Sequence, residues 1–172
     1  MKPTVYTIGH SNRTLADFLR LLKAHGVEQV LDVRAIPQSR HNQQFARLDL
    51  ARALRARSSG YRWVPKLGGR RHATKDSPNS GWRNAAFRSD ADYMATASFA
   101  QGLNIAEDVA ASKPTALMCA EAVPWRCHRS LIADALTKKK WIVRHITGLG
   151  ATRIHRPTPF LRVRRGMLLY PP

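Results

Sequence analysis

The sequence predicts an α/β domain of three layers, with a mostly parallel central sheet and helices on both of its faces. Three observations carry that expectation. A strand, a helix and a second strand follow one another with short connections between residues 4 and 33. The same alternation returns between residues 114 and 146. A hydrophobic content of 44% over 172 residues is enough for one core and short for two.

Thr4 to Ile8 is apolar and β-prone and reads as a buried strand, ending at Gly9 in a turn that carries His10, Ser11 and Asn12. Thr14 can cap the helix that follows, with Asp17 near its positive end. Leu15, Phe18, Leu19 and Leu22 form an apolar stripe at helical spacing, and Gly26 stops it. Val27 to Val33 is the second strand, and the short connections favour a parallel, right-handed crossover. Leu48 to Arg57 predicts a short helix, and Tyr61 to Leu67 an irregular or strand-like segment. Arg70 to Gly81 is polar, rich in breakers and without periodicity, which predicts a long surface loop. The alanine-rich stretch from Asp90 to Ser112 predicts one broken helix or two, interrupted near Gly102. Pro114 to Met118, Arg129 to Lys139 and Trp141 to Ile146 then predict strand, helix and strand. The expected organisation is an α/β domain over residues 1–150, including a basic loop at 68–90, followed by a basic tail over 151–172. That tail carries Arg153, Arg156, Arg162, Arg164 and Arg165 without one acidic residue, and reads as an extended arm or a loosely docked edge.

The formal charge is +18, from 29 Lys and Arg against 11 Asp and Glu. Such a surface attracts polyanions whatever the fold, but charge alone does not separate nucleic-acid affinity from simple solubility. No run approaches the roughly 20 consecutive apolar residues that span a bilayer, and the N-terminus leads straight into a strand-like stretch, so a cytoplasmic protein without a membrane partner is expected. The two cysteines form neither a C-x-x-C pair nor a regular framework, which argues for reduced thiols.

The chemistry collects by position. His10 and Ser11, Asp32 with Arg34, Cys119 with Glu121, and His145 each fall at the carboxyl end of an expected strand. In open parallel sheets ligands bind in the crevice outside those ends, so these clusters converge on one edge. Cys119 and Glu121, two apart, point the same way in an extended segment. Cys127, His128 and Arg129 would open the next helix, whose unpaired N–H groups and dipole favour an anion and depress a thiol's pKa.

Blander readings stay open beside these. Cys119 can be a small core residue, Glu121 can pair structurally with Arg34, Arg126 or Arg129, and Asp32 can simply orient Arg34. Ser11 and Ser39 can cap turns, and His10 and His145 can be satisfied histidines at the core's edge. Cys119, Cys127, His128 and His10 are all permitted zinc ligands. The cysteine spacing matches no structural zinc pattern, however, and adjacent ligands such as Cys127 and His128 rarely reach one ion, so neither metal nor cofactor is expected. A phosphatase loop with arginine six residues after the cysteine is excluded, because that position is Trp125. Tyr61-Arg62-Trp63 and Gly81-Trp82-Arg83 interleave aromatic and basic residues, a combination that stacks bases or merely packs.

Five motifs occur in order: Thr7-Ile-Gly-His-Ser-Asn12, Asp32-Val-Arg-Ala-Ile-Pro-Gln-Ser39 followed by Phe45, Leu67-Gly-Gly69, Cys119-Ala-Glu121 with Cys127-His-Arg129, and His145-Ile146. In these the chain closely resembles the domain of unknown function 488 family, over residues 4 to 147. The resemblance implies a compact α/β fold whose motifs form one pocket; it implies no reaction.

Three functions follow as expectations. The first is an enzyme on a phosphorylated or nucleotide-like substrate: Arg34, Arg129 and the helix start hold the anion, with His10, Ser11, Asp32, Ser39 and His145 around them. Glu121 is the acid or base, and Cys119 or Cys127, beside His128, the nucleophile. The second is a nucleic-acid-associated protein, which would use the nine basic residues between Arg52 and Arg83, set against one acidic residue, together with the tail. The third is a thiol redox or metal sensor built on Cys119 and Cys127.

Overall fold

A computed structural model describes residues 2–172. Its first half runs β1 (Thr4–Gly9), α1 (Leu15–Ala24), β2 (Gln29–Asp32), α2 (Arg47–Arg55) and β3 (Gly60–Trp63). The second half runs α3 (Ala85–Tyr93), α4 (Ala97–Ser112), β4 (Thr115–Cys119), α5 (Arg129–Lys138), β5 (Ile142–Gly148), β6 (Ala151–Ile154), β7 (Arg162–Arg164) and β8 (Met167–Leu169). The first six strands form one sheet in the order β3-β2-β4-β1-β5-β6, in which only β6 runs antiparallel to its neighbour, and β7 and β8 pair as a separate hairpin.

Alternation along the strands sends side chains to two cores. Ile8, Val30, Ala116, Met118 and Ile146 meet α1 and α2 on one face, where Phe18, Leu22, Leu50 and Leu54 are buried. Val5, Leu31, Leu117, Cys119 and Val143 meet α4 and α5 on the other, against Phe99, Leu103, Ile132 and Leu136. Burial on both faces explains why these strands read as unbroken apolar runs. Thr14 caps α1 as its sequence implies, its hydroxyl accepting the Asp17 N–H at 3.1 Å.

Register sets the site. Gly9 lies opposite Cys119, and Asp32 opposite Met118, so the carboxyl ends of β1, β2 and β4 stand level at one edge of the sheet.

Three expectations change. The helical stretch begins earlier, at Ala85 inside the expected basic loop, and its break falls at Met94–Thr96, where Thr96 caps α4. Gly102 lies inside α4, where a Cβ would come within 3.0 Å of Lys66 and Leu67; it marks close packing, not interruption. The tail is neither an arm nor loosely docked. Its first strand is the sheet's edge, and Tyr170 near its end is wholly buried, donating from its hydroxyl to Asp134 at 2.9 Å. The surface loop before α3 is also tied down: Thr74, Ser77 and the Asn79 side chain all donate to Asp92.

Candidate active site

The cavity at the level strand ends begins with a close approach of backbones. A Cβ on Gly9 would sit 1.9 Å from the Glu121 carbonyl oxygen, so only glycine lets the end of β1 lie against the loop after β4. The His10 and Ser11 N–H groups then donate to the Cys119 and Ala120 carbonyls at 2.9 and 2.8 Å. From beneath, the buried Arg129 guanidinium donates to the Glu121 carbonyl, and at 2.9 Å to that of Ala122. A loop that would otherwise carry orphan acceptors is thereby fixed.

Three side chains meet on this frame. His128 donates from Nε2 to the Val33 carbonyl at 2.9 Å, which leaves Nδ1 facing the Cys119 sulfur at 3.8 Å and the Cys127 sulfur at 3.7 Å. The Arg129 N–H, at the start of α5, points at the Cys127 sulfur at 3.5 Å. The two thiols titrate as a pair and are pushed apart. A hydrogen bond from Cys127 lowers Cys119 well below the usual thiol range against the opposing effect of burial, and His128 and Arg129 add to it. Cys127, which gives that hydrogen bond and is buried beside a negative neighbour, is held well above the range. Burial would lower His128, but its hydrogen bond with Cys119, that group's charge and Asp90 carry it above the ordinary histidine value. These directions favour the thiolate form of Cys119 and the charged form of the His128 ring beside it.

Arg34 forms the opposite wall and is largely committed. Its Nε and Nη2 donate to the two Asp32 oxygens at 2.9 and 2.6 Å, and Nη2 also donates to the Phe45 carbonyl at 2.8 Å. Nη1 donates to His10 Nε2 at 3.3 Å; His10 in turn donates from Nδ1 to the Ser11 carbonyl and stacks on Phe45, with ring centroids 4.3 Å apart. Burial keeps His10 below its usual pKa, consistent with an acceptor at Nε2. The Tyr61 hydroxyl completes the Asp32 shell at 2.6 Å. One Nη1 hydrogen of Arg34 is left over from these bonds, and Arg34 borders the cavity.

That cavity has a volume of about 430 Å³ and is walled by Arg34, Arg70, Asp90, Glu121, Arg126 and the Cys119-Cys127-His128 cluster. Of the residues expected at the site, Cys119, Glu121, Cys127, His128 and Arg34 come together here. Asp32, His10 and Arg129 stand behind them as supports. Ser11 sits in the turn after β1, and the Ser39 hydroxyl accepts the Asn42 N–H at 2.9 Å in a turn of its own. His145 lies elsewhere, between Thr7 and His155. Glu121 is exposed at the rim, one oxygen accepting the Val123 N–H at 3.1 Å. Asp90 was not legible as a site residue: it lies on α3, 29 positions from Cys119, with no motif around it. Burial raises its pKa against the Arg71 N–H and the His128 charge. Gly69, inside an expected motif, was the available signal, since a Cβ there would lie 2.9 Å from both Asp90 Oδ2 and His128 Cγ.

The Cys119 and Cys127 sulfurs and His128 Nδ1 lie within 4.8 Å of one another. Adjacent residues such as 127 and 128 rarely reach one ion, but here the tight turn at Pro124–Arg126 and the start of α5 bring both toward Cys119. The donors suit a soft ion such as zinc, and the Val33 carbonyl orients the imidazole as outer-shell partners do. Trp63 is part of the frame: its indole N–H donates to the Arg34 carbonyl at 2.9 Å, and Arg47 covers its ring.

The fold and site define an α/β protein with a thiol and imidazole cluster at the carboxyl edge of a parallel sheet. Residues 14–136 match the family described as domain of unknown function DUF488, and the chain belongs to it. No curated protein and no solved structure matches the chain. Among the described residues no helix is long and apolar enough to cross a membrane.

Proposed function

We propose that this cavity is the active site of a thiol-dependent enzyme acting on a phosphorylated or nucleotide-like substrate, with Cys119 as the nucleophile. The observation that carries the reading is the Cys119 sulfur at the cavity wall, within hydrogen-bonding reach of His128 Nδ1. Arg70, Arg126 and the remaining Arg34 hydrogen supply the anion's counter-charge. The Cys119 thiolate attacks the substrate's electrophilic atom, forming a bond to sulfur. The leaving group departs with the bonding pair and takes a proton from His128 or Asp90. A water then gives its proton to the same group, displaces the sulfur, and regenerates the thiolate.

The test is a turnover screen over phosphate esters and nucleotides, with mass spectrometry for a covalent adduct. A substrate turned over with an adduct on Cys119, and lost on Cys119→Ser, is the expected result. Turnover that survives Cys119→Ser overturns the nucleophile.

A second reading rests on the same three atoms as a soft-metal site with an open position toward the cavity. Protein purified without chelator and carrying one equivalent of zinc, lost together on Cys119→Ser and His128→Gln, would favour it over the free thiolate.

A further inference from the structure

On the other side of the Pro124–Arg126 turn lies a second cavity of about 430 Å³. Arg126 borders the thiol cavity, and its neighbour Trp125 borders this one. The opposite wall is the tail, residues 153–160, which lies wholly beyond the part of the chain that matches the family. Trp82, Trp125 and Phe160 supply rings, Arg153 and Arg156 supply charge, and no carboxylate lines the space.

Trp125 is 59% exposed and is the one aromatic ring among the large apolar side chains left in solvent in the described residues. The Arg153 guanidinium sits over it, 5.1 Å from the ring centroid. An exposed indole beneath a cation stacks an aromatic ligand that also carries negative charge.

The tail wall is fixed before any ligand arrives. Asp134, fully buried on α5, accepts His155 Nε2 at 2.8 Å, the Thr158 N–H and hydroxyl at 3.0 and 2.7 Å, and the Tyr170 hydroxyl. His145 and Thr7 extend the chain inward from His155. Such pre-organisation lowers the ordering cost of binding. Arg162, Arg164 and Arg165 continue the positive surface along the hairpin, all exposed.

We propose that this cavity receives an unpaired base of single-stranded nucleic acid, stacked on Trp125, with the adjoining phosphates held by Arg153 and Arg156. The concave, ring-lined shape favours a base over a lipid surface, which would need an apolar convex face. The two cavities share this turn, but the binding itself does not rest on the chemistry proposed for the other.

The experiment is fluorescence anisotropy of a labelled twelve-residue oligothymidylate titrated with the full chain at 50 and 200 mM salt. Tight binding that weakens with salt is expected, about tenfold weaker in Trp125→Leu and in the Arg153→Gln/Arg156→Gln pair. Binding is read without turnover, so a chain that converts no phosphate ester or nucleotide should still bind the oligonucleotide, which separates failure of this proposal from failure of the enzymatic one. Circular dichroism confirms that the variants fold. Equal binding by the variants and the parent would overturn the proposal. So would duplex or heparin binding as tightly as the single strand, or a Trp125-dependent preference for vesicles of anionic lipid.

Discussion

The two cavities that flank the Pro124–Arg126 turn are built in opposite ways. The thiol cavity draws both thiols and the imidazole from eleven consecutive residues, Cys119 to Arg129. The tail cavity joins Trp82, Trp125, His145 and residues 153–160, which no local pattern connects. Their histidines also move in opposite directions. His128 is raised by its sulfur neighbour and by Asp90, whereas His145 is lowered to about 3 by burial, then by His155, Arg129 and Arg153. A histidine beside negative charge stores a proton, and one among cations excludes it. The first arrangement suits chemistry, the second a neutral, rigid wall.

The sharpest way to break this contrast is to remove the tail's anchor. Asp134→Ala strands His155, Thr158 and Tyr170 in a buried setting with no acceptor, and each unsatisfied group costs about 1–3 kcal/mol. A loss of at least about 3 kcal/mol is expected in denaturant unfolding, with limited proteolysis opening the tail at its arginines while α1 to α4 stay protected. Asp134→Asn keeps the shape and some acceptors and should cost less. A tail that stays resistant in Asp134→Ala would mean that hairpin and edge-strand packing, not the carboxylate, holds it.

The thiol cavity answers to a second measurement. At pH 6 an ordinary thiol with a pKa near 8.5 is well under 1% ionised. Cys119 should therefore react with iodoacetamide at least tenfold faster than a free thiol at that pH, by intact mass, and His128→Gln should remove most of the advantage. Cys127, held protonated by its neighbour, should stay unlabelled. Labelling of Cys127 first would reverse the roles of the two sulfurs.

Much of this was readable from sequence where local rules decide. The strands of the parallel sheet are apolar runs because both faces are covered, and α1 declares itself by Thr14 and its stripe. Cys119, Glu121, Cys127 and His128 were legible because strand, turn and helix start follow one another within a few residues. What failed were contacts across the chain. Gly102 looked like a helix breaker because its partners, Lys66 and Leu67, are far away in sequence. Arg34 stayed open between binding an anion and being oriented by Asp32, because nothing local reveals that Phe45, His10 and Tyr61 close around the Asp32 pair. The tail read as an arm or a loosely docked edge because its arginines dominate the composition, while its contacts to Asp134, 36 residues before Tyr170, leave no local pattern. Asp90 illustrates the same limit from the functional side.

The smallest effect tests the histidine contrast directly. His145 accepts the Thr7 hydroxyl at Nδ1, 2.6 Å away, and donates from Nε2 to His155, so a second proton would face a donor. Its folded pKa of about 3 lies below the value near 6.5 expected when unfolded, so between those values the unfolded chain binds the proton and the folded chain does not. Stability contributed by this group is full above about pH 6.5 and declines as pH falls toward 3, by at most about 1.4 kcal/mol per pH unit. His128 has the opposite sign: its contribution is full below the unfolded value and fades as pH rises through its raised folded value. Unfolding free energies of the parent and His145→Gln, measured from pH 7 to pH 4.5, should therefore converge as the pH falls, while those of the parent and His128→Gln should converge as it rises above 7. A gap between parent and His145→Gln that stays constant with pH would show that His145 titrates alike in the folded and unfolded chains, and the depth of the tail cavity would then gain positive charge below about pH 6.5 instead of staying neutral.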